Sequence, residues 1–238
     1  MFFIDPMYLL FVFLPTLLIS GLCSWRVKAA FKKYSQVRSM NGYSGAQAAR
    51  MILDREGLQD VQVTETGGFL TDHYDPRNKT LALSAENYRG TSVVHIGIAA
   101  HEAGHAIQDA RNYGPLKLRS AIVPLAALGS SLGYGIIVIG MLLMWLAGDS
   151  NIGSIVMLAG CALFALVLVF QLVTLPVEFD ATARAKLIVV EAGIVYPEER
   201  VGMDKVLDAA AMTYVAAVVT TLLTLAYYVM RAVSGMRD

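Results

Sequence analysis

The sequence predicts a mainly α-helical, polytopic membrane protein, with four transmembrane helices and cytoplasmic segments that carry a polar motif-bearing helix and a small β-hairpin. Two observations predict it. Of the 238 residues, 56% are hydrophobic and only 16% charged, a balance too apolar for an ordinary soluble domain. The charges also avoid long stretches: none falls between Arg119 and Asp149, between Asp149 and Glu178, or between Asp208 and Arg231, and residues 6–25 form a fourth uncharged run. About 30 Å of hydrocarbon takes roughly 20 helical residues to cross. Spans are therefore expected at about residues 7–25, 121–146, 152–175 and 209–230 of a single membrane-embedded domain.

Orientation follows from the basic residues. Residues 26–119 contain 13 of the 19 Lys and Arg, whereas residues 1–25 and the turn at 148–151 contain none. The positive-inside tendency then puts residues 26–120 and 176–208 in the cytoplasm and the N-terminus outside. Formal net charge is zero; the bilayer is an expected partner and nucleic acid is not. The first apolar stretch has no basic region before it, and residues 22–26 make a poor signal-peptidase site, so it reads as a retained anchor. Cys23 and Cys161 both lie within expected spans, which indicates neither a disulfide framework nor a cysteine-based metal site. Trp25 and Trp145 fall at span ends, where interfacial tryptophans anchor.

The elements then follow in order. After the first span comes a basic, helical juxtamembrane stretch at 26–38, suited to contact with anionic headgroups. Ser44 followed three residues later by Gln47 reads as a capping box opening a helix that stops near Gly57. Residues 61–64 and 80–84 alternate in polarity, and Gly67-Gly68 marks a turn between them, which predicts a hairpin. A helix follows over about 91–111, closed by Gly114-Pro115. The second and third spans form a helical hairpin, residues 178–190 form a further helix, 193–197 a break, and a long helix from 198 runs into the last span.

The motif lies on the helix at 91–111. Residues 101–105 read His-Glu-Ala-Gly-His, an HExxH pattern, and on a helix His101 and His105 stand one above the other about 40° apart. Their imidazoles can share one tetrahedral ion, with Glu102 beside the open position. Gly104, between them, either permits close approach of another helix or is incidental. A third ligand must lie on the same membrane face as the histidines. Two spans separate His105 from Glu178, so residues 176–181 return to that face. Glu178 and Asp180 are both present there, about 200° apart on a helix, so only one can face the metal.

Taken together, these motifs resemble the YugP-like neutral zinc metallopeptidases, membrane proteins related more distantly to heat-shock membrane proteases and CAAX prenyl endoproteases. The resemblance rests on residues 71–77, on Leu83-Ser84 with 97–108, on 175–181, and on 207–210 with 213–216. It implies a zincin-like subdomain, one Zn²⁺ held by His101, His105 and Glu178, and Glu102 as the general base that activates water against a peptide bond. It also implies a protein or peptide substrate, held against a strand near residues 81–84 if that strand is more than structural. Thr182 departs from the relatives, which carry Asp there to orient a ligating histidine. Asp180 and Asp208 are candidates for that contact. His73 donates to the oxyanion of the reacting carbonyl, binds a second ion or structures its turn, the last being the preferred reading. Arg184 and Tyr196 are transition-state donors or surface residues, and His95, about 240° round the helix from His101, is a core histidine. Two rival readings use the same residues: a non-catalytic scaffold or sensor that holds a metal with the same ligands, and a transporter with a coincidental motif.

Overall fold

The computed structural model describes residues 5–68, 70–146 and 150–236. Its helices are α1 (Pro6–Tyr34), α2 (Gly45–Arg55), α3 (Ala85–Arg89), α4 (Val93–Ala110), α5 (Gly114–Leu146), α6 (Ser150–Glu191) and α7 (Arg200–Gly235), with strands β1 (Gln62–Thr66), β2 (His73–Asp75) and β3 (Thr80–Ser84) between α2 and α3. Four of these helices, α1, α5, α6 and α7, are long and apolar enough to cross a membrane. They cover the four expected spans, but each is longer than its span. α1 continues nine residues beyond Trp25, α5 starts at Gly114, and α6 runs unbroken through Pro176, joining the third span and the helix expected at 178–190 into one. Gly114-Pro115 opens α5 instead of closing α4, in keeping with proline's fitness for a first helical turn. The chain turns just before it, at Asn112, whose φ is +55°. The expected turn at 148–151 falls partly outside the described residues, and by Ser150 and Asn151 the chain is already helical.

The contacts divide the chain into two compact units. One comprises Met1–Leu22, Leu118–Thr174 and Tyr214–Asp238. In it α5 and α6 form the expected helical hairpin through glycines. A Cβ on Gly140 would lie 2.6 Å from the Met157 nitrogen, and one on Gly160 2.6 Å from that of Ile137. Helices whose lipid surroundings are as apolar as their side chains gain from such close backbone approach. Ile137, Met157, Cys161, Leu225 and Tyr228 form its core, and Tyr227 donates a hydrogen bond to Asp5.

The other unit, Cys23–Lys117 and Leu175–Thr213, contains α2, the sheet, α3, α4 and the adjoining parts of the long helices. Ser44 caps α2 with the reciprocal bonds of a capping box: its hydroxyl accepts from Gln47 N, and the Gln47 side chain accepts from Ser44 N. α2 packs against α4 over Ala48, Ala49, Ile52 and Leu53, all fully buried. The sheet departs from the expected hairpin. Its order is β1-β3-β2, with β1 and β3 parallel and β2 antiparallel to β3. Two parallel strands cannot be joined by a tight turn, and the residues between them supply the third strand. β3 is consequently central: Thr80, Leu81 and Ala82 are paired on both sides. β2 covers residues 80–82 of the β3 edge that faces away from β1, while Leu83 and Ser84 pair only with β1, and Ser84 N donates to the Asp72 carboxylate. The outer edges of the sheet belong to β1 and β2.

Candidate metal centre

α4 starts with a second capping box. Ser92 accepts from His95 N, and the His95 imidazole accepts in turn from Ser92 N at 3.3 Å. This assigns His95 to a helix start, 7% exposed and away from the other histidines. Two turns on, His101 and His105 lie one above the other with ring centroids 4.8 Å apart. The helix around them is buried and rich in Ala and Gly, so a neighbouring helix can come close. Gly104 shows how close: a Cβ there would lie 2.9 Å from the Ala181 carbonyl oxygen of α6. The glycine is required by the approach of α6, which resolves the two readings left open by the sequence.

That approach brings in Glu178, 2% exposed. Its Oε2 lies 3.3 Å from His101 Nε2 and 3.6 Å from His105 Nε2, and the three donor atoms are all within 4.8 Å of one another. The far sides of the rings are held too. Gln108, fully buried, donates from Nε2 to the Val177 carbonyl and to Asp180 Oδ2, both at 2.8 Å. Its oxygen therefore faces His105, 3.0 Å from Nδ1, and can only accept, so His105 Nδ1 carries the proton. Asp180 is fixed in turn by Arg184 Nε at 2.6 Å. His101 Nδ1 meets Thr182 Oγ1 at 3.3 Å.

This bonding pattern leaves the neutral His105 with a lone pair on Nε2, aimed at a carboxylate oxygen. Two acceptors turned towards each other at that distance need a cation between them. Without a metal that cation is a proton: burial depresses the His105 imidazole, but Glu178 and Glu102 more than offset this and lift it above its ordinary value. Glu102 is itself buried, 8% exposed, one position along α4 from His101.

Over residues 9–233 the chain matches the family described as "Putative neutral zinc metallopeptidase". The chain belongs to this family. It is also 44% identical over 230 residues to the protein named "Putative membrane protease YugP" from Bacillus subtilis (strain 168), an alignment covering 95% of this chain and 98% of that protein. No solved structure matches.

Membership in a zinc metallopeptidase family implies zinc, and the donor set fits it. Two imidazole nitrogens and one carboxylate oxygen are a usual three-ligand set for catalytic zinc. A tetrahedral shell with bonds of about 2.1 Å has edges of about 3.4 Å, close to the 3.3 and 3.6 Å between Glu178 and the two rings. Both rings turn Nε2 inward, and each Nδ1 has an oxygen partner, the arrangement that fixes a metal-binding histidine.

The other candidate residues lie elsewhere or act at one remove. Asp180 reaches His105 only through Gln108. Asp208 does not serve a histidine; its exposed carboxylate pairs with Lys186. His73 is exposed on β2, its Nδ1 2.8 Å from the Thr71 carbonyl, as the turn reading expects. Arg184 is engaged by Asp180, and Tyr196 is 46% exposed with its backbone nitrogen bound to Glu199. Sequence reasoning missed Gln108 and passed over Thr182 as a partner. The signal for Gln108 was an uncharged amide one turn beyond His105 in an apolar run; for Thr182 it was the departure itself.

Proposed function

We propose that the chain is a zinc-dependent endopeptidase that hydrolyses peptide bonds of membrane or membrane-associated proteins. His101, His105 and Glu178 hold one Zn²⁺, Glu102 is the general base, and the site faces the cytoplasm. The observation that carries this reading is the convergence of His101 Nε2, His105 Nε2 and Glu178 Oε2 at a buried point, in a chain whose family is described by that activity. Zinc bound there supplies Lewis acidity towards the scissile carbonyl and a nucleophilic water at neutral pH. Glu102 takes the proton of the attacking water and passes it to the leaving amine. Gln108 and Thr182 keep the two rings in the tautomer and orientation that present Nε2. The low exposure of all three donor residues limits access by bulk water and strengthens the electrostatics of the site.

The four apolar helices in the same chain as the site support a membrane substrate. The concentration of Lys and Arg in residues 26–119 supports the cytoplasmic side. Glu102→Gln tests the catalytic claim. The variant is expected to retain one zinc and to lose proteolysis of an unfolded reporter in proteoliposomes by about 10²–10⁴-fold. Retention of zinc with unchanged cleavage would remove Glu102 from the reaction. Zinc without cleavage in the wild type would favour a metal-holding scaffold.

A further inference from the structure

Between Pro6 and Leu53 the chain contains no acidic residue, yet it contains Arg26, Lys28, Lys32, Lys33, Arg38 and Arg50. Several bases elsewhere in the same compact unit are neutralised internally. Arg50 pairs with Asp54, Lys79 with Asp109, Arg89 with Glu65, Arg111 with Glu56, Arg184 with Asp180 and Arg200 with Asp204. Arg26, Lys28, Lys32 and Arg38 are exposed, and among the described residues their side chains enter no ion pair or hydrogen bond. They follow directly on Trp25, 64% exposed at the end of the uncharged run of α1.

A second observation sharpens the first. Lys33 Nζ lies 5.2 Å from the centroid of the Tyr34 ring, and Lys205 Nζ, from α7, lies 5.7 Å from the same centroid. Gly202 makes room for that ring, since a Cβ there would come within 2.8 Å of Tyr34 Cδ1. The fold therefore gathers two ammonium groups at one tyrosine, and among the described residues no carboxylate forms an ion pair with either, a local excess of positive charge that an anion relieves. The bases are also spread around α1. At about 100° per residue, Arg26 and Lys33 share one side while Lys28 and Lys32 occupy another. A protein partner meets a helix along one stripe, whereas a headgroup layer surrounds a helix that passes through it.

We infer that this collar of Arg26, Lys28, Lys32, Lys33, Arg38 and Lys205 binds the anionic phosphate headgroups of phospholipids in the bilayer that α1 enters. The inference rests on α1 crossing a membrane and is independent of the metal centre. Phosphate oxygens accept from the ammonium and guanidinium donors, shortening the contact and strengthening it relative to neutral donors. One base near an anionic surface corresponds to about a fivefold enrichment, so several together concentrate anionic lipid around Trp25.

The full-length chain with Trp145→Phe, leaving Trp25 as the sole tryptophan, is reconstituted into phosphatidylcholine vesicles that contain equal fractions of either brominated phosphatidylglycerol or brominated phosphatidylcholine. The brominated anionic lipid is expected to quench Trp25 fluorescence at least about twofold more strongly than the brominated zwitterionic one. The preference should collapse towards one in Lys28→Gln/Lys32→Gln/Lys33→Gln and, without any substitution at these bases, at about 1 M salt, where screening shortens to about 3 Å. Equal quenching by the two lipids, or a preference that survives both treatments, would overturn the inference. Quenching by neither would contradict the placement of Trp25 at a membrane and overturn it by that route.

Discussion

Gly104→Ala adds one methyl group where α4 and α6 are closest, and its consequences separate fold stability from metal binding. The new Cβ would stand 2.9 Å from the Ala181 carbonyl oxygen and 3.2 Å from Ala181 Cα. Both are backbone atoms, so no side-chain rotation relieves the contact, and restoring an ordinary separation moves α6 by about 0.5 Å. Overpacking of this size costs about 1–3 kcal/mol, while replacing a mid-helix glycine by alanine returns about 1 kcal/mol of helix propensity. The net loss of stability is then about 0–2 kcal/mol. Metal affinity is affected differently, because Glu178 sits three residues before Ala181 and zinc tolerates ligand displacements of only about 0.2 Å. A loss of at least tenfold is expected, the lower bound for disturbing a ligand's support. The assay is competition with a zinc chelator in detergent solution, alongside thermal unfolding of the metal-free protein. Unchanged zinc affinity with a gain of about 1 kcal/mol in stability would mean that helix propensity alone had acted, and would refute the tight contact between α4 and Glu178's helix.

Other outcomes follow from the same geometry. Gln108→Leu removes the acceptor for His105 and the donor to Val177 and Asp180; it should cost about 2–3 kcal/mol and weaken zinc binding about 10–100-fold. Thr182→Val should weaken it similarly through His101 and Thr182→Ser should not, both read by chelator competition. Burial pulls the His95 imidazole below its ordinary 6.5 despite the opposing pull of Glu86, so the unfolded chain takes up this proton at pH values where the folded one does not. Its contribution to stability is complete above about pH 6.5 and is lost as the pH falls towards the folded value. Thermal unfolding from pH 7.5 to 5 should show that decline, and His95→Gln should flatten it.

The four long helices were legible because uncharged runs of sufficient length are a property of the sequence itself. Their ends were not, since helix α1 runs past Trp25 to Tyr34 and α6 passes through Pro176, extensions fixed by packing and continued backbone bonding. The Ser44–Gln47 capping box was readable from residue types. Its counterpart at Ser92 was not, because a histidine takes the position usually held by Glu or Gln. The sheet misled for a physical reason: alternation in residues 61–64 and 80–84 reports which side chains face inward but not whether two strands run parallel. The three-residue β2, hidden in a turn-rich stretch, decided that question. At the metal centre, HExxH spacing exposed His101 and His105, and counting spans returned Glu178 to their side. Gln108 and Thr182 needed three dimensions, since a neutral amide and a hydroxyl carry no ligand signature until the rings they touch are placed.

Zinc content of the purified protein tests the metal centre most directly, measured per chain in the wild type and in Glu178→Ala. One zinc per wild-type chain, falling to well below one in a Glu178→Ala protein that still folds, is the predicted result. A wild type without zinc, or a Glu178→Ala variant that retains it in full, would contradict the assignment of His101, His105 and Glu178 as its ligands.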